Sequence, residues 1–262
     1  MQENRENQLI QMLKVPLKKD KFLQVIRSHY IRQSPELNYQ LLMANGFPLE
    51  EHSGDVYLTT NFEDYTNQTY CIVDIETNGG SEEKADIIEL AAIKLKNHKI
   101  IDEFNTLIYN RFVPDFITKI TNIDTSMLKD APKQKDVLKQ FKMFLTDSVF
   151  VAHNVNFDYK FIAHKMEYFG LGTLENRKLC TLDLAKQTIQ SPKYSLQGLI
   201  ETLNIKSDTF HRAYDDAINA TKVLQECFKK IPTSVKTTED LILFSKSQTD
   251  TKPNLFSYYE IA

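Results

Sequence analysis

The 262-residue chain has no tryptophan, three cysteines and only seven glycines. Three cysteines cannot pair completely, and Cys71, Cys180 and Cys227 are too scattered for a zinc motif. Each lies in an apolar context, which predicts buried free thiols in a reducing cytosol. The chain has no P-loop, no GxSxG elbow and no Rossmann glycine fingerprint. MQENRENQ is polar with no apolar segment after it, so no secretory signal is expected. No run approaches the roughly 18 apolar residues of a membrane span, and the expected setting is the cytoplasm, with no membrane partner.

What is there is ordinary for a globular protein: 42% hydrophobic and 26% charged residues. The length suits one full-sized domain with a small appendage. A net charge of −3 argues against a broad surface that wraps nucleic acid. It leaves room for an enzyme gripping a few nucleotides, since carboxylates filled by metal are locally much less negative.

Three regions emerge. Residues 1–66 contain two segments with helical spacing, one grouping Phe22, Val25, Ile26 and Tyr30, the other Leu37, Leu41 and Leu42. Gly46 stops the second, and FPLEEHSGDVYLTT reads as a hairpin turning at SerGly. Helices followed by a hairpin fit a winged-helix-like module or a small helical cap. Residues 67–231 carry a strand YCIVDI, a hairpin through Asn97-His98, and a helix placing Val137, Phe141 and Leu145 on one side. Strand SVFVA follows, then alternating helices and strands, which predicts a mixed-sheet α/β domain. Residues 232–262 form a tail with one short helical stretch and an apolar-aromatic end.

Four acids stand inside apolar segments, where a lone charge is costly unless compensated. Asp74 and Glu76 lie two apart on a strand, so both point to one face. Asp158 is one turn into a helix with Ile162, Met166 and Phe169 on the same side, a position that also suits an anion at a helix start. Asp216 falls in the stripe of Ala213, Ala217, Ala220, Val223, Leu224 and Cys227. Asp215 falls with Asn219, Lys222 and Glu226, a face expected to be solvated. His211 is five residues before Asp216, about 140° away on a continuous helix. It serves the same site only from the loop or first turn that starts the helix.

Hard oxygen donors without soft sulfur or a histidine cluster suit Mg²⁺ or Mn²⁺. Two such ions, about 3.5–4 Å apart, activate water and stabilise a leaving oxygen in phosphodiester hydrolysis. In this reading Asp74 bridges both ions, and Glu76 and Asp216 hold mainly the one carrying the nucleophilic water. Asp158 serves the second ion or its waters, and His211 takes the water's proton.

VDIETNG, HNVNFD and HRAYDDA, in this order, resemble the three motifs of the DEDDh 3′→5′ exonucleases. Within that family the chain is most similar to the epsilon proofreading subunit of bacterial DNA polymerase III. The resemblance covers about 67–230. It implies an RNase H-like mixed β-sheet flanked by helices, release of nucleoside 5′-monophosphates from single-stranded or frayed DNA 3′ ends, and the same metal acids and base. It further implies that Thr77 and its neighbouring backbone hold the terminal nucleotide, while His153 and Phe157 line the pocket for its sugar and base. A DNA polymerase III catalytic subunit is the implied partner, through LILFSK or NLFSYYEIA in the tail. Some 66 residues precede the first motif, unlike the simplest members, and the alternative is a stand-alone exonuclease acting on RNA or DNA-repair 3′ ends.

Overall fold

The computed structural model of the chain describes residues 2–28, 33–207 and 211–247. Its first part runs α1 (Gln2–Met12), β1 (Leu17–Lys18), α2 (Lys19–Val25), α3 (Pro35–Ala44), β2 (Leu49–His52) and β3 (Asp55–Leu58). The hairpin turns where expected, with Ser53 and Gly54 at φ 52° and 80°, the left-handed pair that suits a two-residue turn. Leu17–Lys18 adds an unforeseen third strand, giving the antiparallel order β1-β3-β2. Leu9, Leu13, Phe22, Ile26, Leu42, Phe47, Val56 and Leu58 form a hydrophobic cluster of their own.

Two expected core positions here are exposed. Val25 and Leu37 face solvent at 37% and 43%, and the buried face of α3 is made by Asn38, Tyr39 and Leu42. Periodicity alone misplaced this face because Asn38 is drawn inside by its hydrogen bonds to the Ile26 and Arg27 carbonyls. Tyr30 and the NLFSYYEIA end lie outside the described residues.

The larger part follows as β4 (Tyr70–Thr77), β5 (Ile87–Lys96), β6 (Lys99–Leu107), α4 (Asp115–Thr121), α5 (Gln134–Leu145), β7 (Val149–Ala152) and α6 (Val155–Tyr168). It continues with β8 (Lys178–Cys180), α7 (Thr181–Thr188), α8 (Leu196–Thr202), α9 (Ala213–Phe228) and α10 (Thr238–Lys246). The sheet order is β6-β5-β4-β7-β8, antiparallel on one side of β4 and parallel on the other, the mixed sheet expected. Asn97 and His98 turn the β5–β6 hairpin at φ 50° and 60°.

Alternation along β4 assigns the two faces. Tyr70 and Ile72 pack with α7, α8 and α9, whereas Cys71, Val73 and Ile75 pack with α5 and α6. Asp74 and Glu76 therefore belong to the α9 face. β7 pairs β4 only from Tyr70 to Ile72, so the end of β4 that carries the acids runs on past its parallel neighbour. Ligands of open α/β sheets collect outside such carboxyl ends.

The first part is fastened at the opposite, amino ends of β7 and β8. Buried Arg177, just before β8, donates to Glu239 of α10 at 2.7 Å and to Glu6 of α1, while Thr60 Oγ1 donates to Glu239 at 2.7 Å. Asn45 and Gly46 press on the same end. Gly46 has φ +91°, and a Cβ there would lie 2.2 Å from Asn176 Oδ1. The three cysteines are buried and free. Among the described residues, no helix is long and apolar enough to cross a membrane.

Candidate metal centre and active site

The strand pair and the last long helix bring three of the expected acids together. Carboxylate oxygens of Asp74, Glu76 and Asp216 lie within 4.8 Å of one another. α9 can approach β4 this closely because Ala213, Ala217 and Ala220 form its contact face. Asp158, 4% exposed in the first turn of α6, stands beside this triple, close enough to Asp74 to raise its pKa.

Crowding and burial oppose ionisation of the whole set. Asp74 is held well above the usual carboxylate range by burial, then by Asp158, Asp216, Glu76 and Glu89. Burial pushes Glu76 up to about 7, with Asp216 and Glu89 adding to the rise and Arg212 opposing it. Burial pushes Asp158 up to about 8, although its own amide and that of Ile75 favour the charged form. Asp216 is also raised by burial, against the His211 backbone amide. Its Oδ2 accepts that amide at 3.0 Å, while its buried Oδ1 has no hydrogen-bond partner.

An orphaned carboxylate oxygen among acids that resist losing their protons fits a divalent cation. The donors at hand are hard oxygens, the set that Mg²⁺ or Mn²⁺ takes. Asp74, Glu76 and Asp216 are placed to hold such an ion directly, with Asp158 adjoining.

His211 stands one residue before Arg212, the N-cap of α9, at φ +61°. This is the placement at the helix start that the five-residue spacing required, and it is a strained one for a residue with a Cβ. Its ring makes no hydrogen bond among the described residues.

The residues expected around a nucleotide differ in how free they are. Phe157 is 39% exposed and available for contact. Thr77 is buried and its Oγ1 donates to the Gly79 carbonyl at 2.8 Å, tying the turn after β4. Both His153 ring nitrogens are engaged, Nδ1 with Thr181 Oγ1 at 3.0 Å and Nε2 with the Tyr194 carbonyl at 2.9 Å. His153 can therefore present a ring wall but no spare nitrogen.

Two further residues escaped the sequence reading. Asn219 is not on a solvated face; it is 2% exposed and donates to Ser207 Oγ at 2.9 Å, drawing that side of α9 under the preceding loop. Glu89, 1% exposed, stands directly opposite Glu76 on β5 and binds Arg212 and the Ala213 amide. Its signal was a lone charge inside IIELAAI, the same mark that singled out the other acids.

A family model described as RNase_T exonuclease matches residues 71–224. A PolC-type DNA polymerase III from Caldanaerobacter subterraneus subsp. tengcongensis is 42% identical over 164 residues, covering 62% of this chain and 12% of that protein. The DNA polymerase III subunit epsilon of Aquifex aeolicus is 34% identical over 168 residues, covering 62% of this chain and 83% of that one. Among solved structures, exonuclease I superposes with a TM-score of 0.57 at 15% identity, over 63% of this chain and 42% of that chain. Exonuclease X in complex with 5′-overhanging duplex DNA gives 0.53 at 26% identity, over 67% and 99%. The common fold is the RNase H-like mixed sheet flanked by helices.

Proposed function

Because the chain belongs to the RNase_T exonuclease family, whose model spans more than half of it, we propose that it is a cytoplasmic, metal-dependent 3′→5′ exonuclease. It releases nucleoside 5′-monophosphates from single-stranded or frayed DNA 3′ ends. The catalytic unit is 67–231, with 1–66 a winged-helix-like appendage and 232–262 a tail. The observation that carries this reading is the meeting of Asp74, Glu76 and Asp216 within 4.8 Å, with Asp158 beside them.

Those four acids would hold two divalent cations, Mg²⁺ or Mn²⁺. When bound, such ions supply an activated water and neutralise charge at the phosphate. The chain's own residues position and deprotonate. His211 accepts the attacking water's proton at a ring nitrogen, from its exposed place just before α9. Thr77 and the turn it ties hold the terminal nucleotide, Phe157 offers an exposed ring to its base, and His153 walls the pocket.

The role we favour is proofreading beside a replicative polymerase, supported by the DNA polymerase III relatives. One observation favours the stand-alone alternative on RNA or DNA-repair ends. LILFSK, a candidate polymerase contact, is part of α10, and its Leu241 and Ile242 are buried in this chain's own core. The test is degradation of a 3′-recessed primer: EDTA, or Asp74→Ala, should abolish it, and retained activity would sink the proposal. Comparing paired, mispaired and single-stranded 3′ ends, in DNA and in RNA, separates the two roles.

A further inference from the structure

Glu89 lies outside the set of acids that approach one another within 4.8 Å, yet it is more deeply buried than Asp74, Glu76 or Asp216. Its carboxylate is fully used by the start of α9. Arg212 Nη2 donates to Oε1 at 2.7 Å, Arg212 Nε lies 3.3 and 3.2 Å from the two oxygens, and the Ala213 amide donates to Oε2 at 3.0 Å. A forked guanidinium on a carboxylate fixes direction as well as distance.

These bonds supply what α9 lacks. Arg212 occupies the N-cap but makes no capping bond with its side chain, and the first amides of a helix need partners from elsewhere. Glu89 provides one from β5, a strand on which α9 packs, 124 residues earlier in the chain. The residue immediately before this clamp is His211, at φ +61°, whose amide donates to Asp216. Asp216 needs no such help, since Ala213, Ala217 and Ala220 seat its helix directly in the core.

We infer that Glu89, through Arg212 and the Ala213 amide, is a positioning residue for His211, setting the direction in which that ring leaves α9 toward the acidic cluster. The inference rests on His211 being the proton acceptor proposed above. Glu89→Gln keeps the size but turns an N–H₂ toward Arg212 or Ala213, so one donor loses its partner. Arg212→Lys keeps the charge and loses the fork.

The experiment is a double-mutant cycle on the full chain with Mg²⁺ and a single-stranded DNA substrate. Glu89→Gln and Arg212→Lys should each lower kcat about 10- to 100-fold, as loss of a supporting partner does elsewhere, with KM within about twofold and, in the charge-preserving Arg212→Lys, the Mg²⁺ midpoint within about twofold as well. In a His211→Ala background the same changes should cost less than about twofold, because the residue they aim is gone. Unchanged kcat in the single variants, a loss that multiplies with His211→Ala, or a shifted Mg²⁺ midpoint in Arg212→Lys would overturn the inference. A His211→Ala enzyme as fast as the parent would instead overturn the assignment of the base, which keeps the two failures distinct. Thermal unfolding of each variant identifies a loss that comes from unfolding. If Glu89→Gln does not fold, Arg212→Lys, on the partly exposed side of the pair, decides alone.

Discussion

Arg177 and Glu239 face each other as a buried, two-bonded pair, Nε to Oε1 and Nη2 to Oε2, each 2.7 Å. The same guanidinium reaches Glu6, so α1, α10 and the residue leading into β8 meet at one buried positive charge. Removing Glu239 leaves the buried guanidinium with Glu6 as its one remaining acid and takes the acceptor from the Thr60 hydroxyl. Glu239→Ala should destabilise the protein by about 3–5 kcal/mol, read as a lower urea midpoint at unchanged slope. A change under about 1 kcal/mol would mean that water replaces the lost carboxylate.

Asp216 and Asp215 are adjacent in sequence but unequal in surroundings. Asp216→Ala should lower kcat/KM at least about 1,000-fold, the scale of a lost metal-linked interaction. Asp215→Asn should stay within about threefold, as expected for a charge outside the cluster. Equal losses would show that both acids serve the site.

His211→Ala should slow turnover by about 100- to 10,000-fold, the usual contribution of a general base. Binding of Mg²⁺ should be unaffected, because no carboxylate of the cluster is changed. Titrating activity against Mg²⁺ in both proteins checks this.

Glu76 is pushed up to about 7 and Asp158 to about 8 from ordinary values of 4.5 and 3.8. The folded, metal-free protein thus keeps protons that the unfolded chain has already released. Stability from these groups is complete below about pH 4 and is lost progressively as pH rises to about 8. In EDTA, this contribution should lower the melting temperature by several degrees from pH 5.5 to 8.5. Mg²⁺ should restore more of it at the higher pH, with protons released on binding. Melting curves with and without the ion test the sign.

Deleting 248–262 removes no residue of α10, which ends at Lys246, and hydrolysis of a free oligonucleotide should be unchanged within about twofold. Co-elution with a replicative polymerase catalytic subunit should be lost. If the shortened chain still co-elutes, the contact lies elsewhere.

Much of this arrangement was legible in the sequence because the strongest signals there are charges in apolar runs. Asp74, Glu76, Asp158 and Asp216 each break such a run, and alternation along the strand and stripe along the helix gave their faces. Glu89 broke a run too, but its partner Arg212 is 123 residues away, a pairing no local pattern reveals. Leu37 and Asn219 were misread for the same kind of reason: polar side chains, Asn38 beside Leu37 and Asn219 itself, are buried by specific bonds, which periodicity does not encode. The third strand of the small sheet, two residues long, carries too few residues to make a period at all.

The fastening of residues 1–66 at the amino ends of β7 and β8 places that module behind the acidic cluster rather than at its mouth. Its clamps at Glu6, Asn45 and Thr60 tie it to the larger part at three separate points. A partner gripping its outer face would be held at a set spacing from the cutting point, without competing for the DNA end. Changes on that outer face should therefore leave the carboxyl end of β4, where Asp74 and Glu76 sit, untouched.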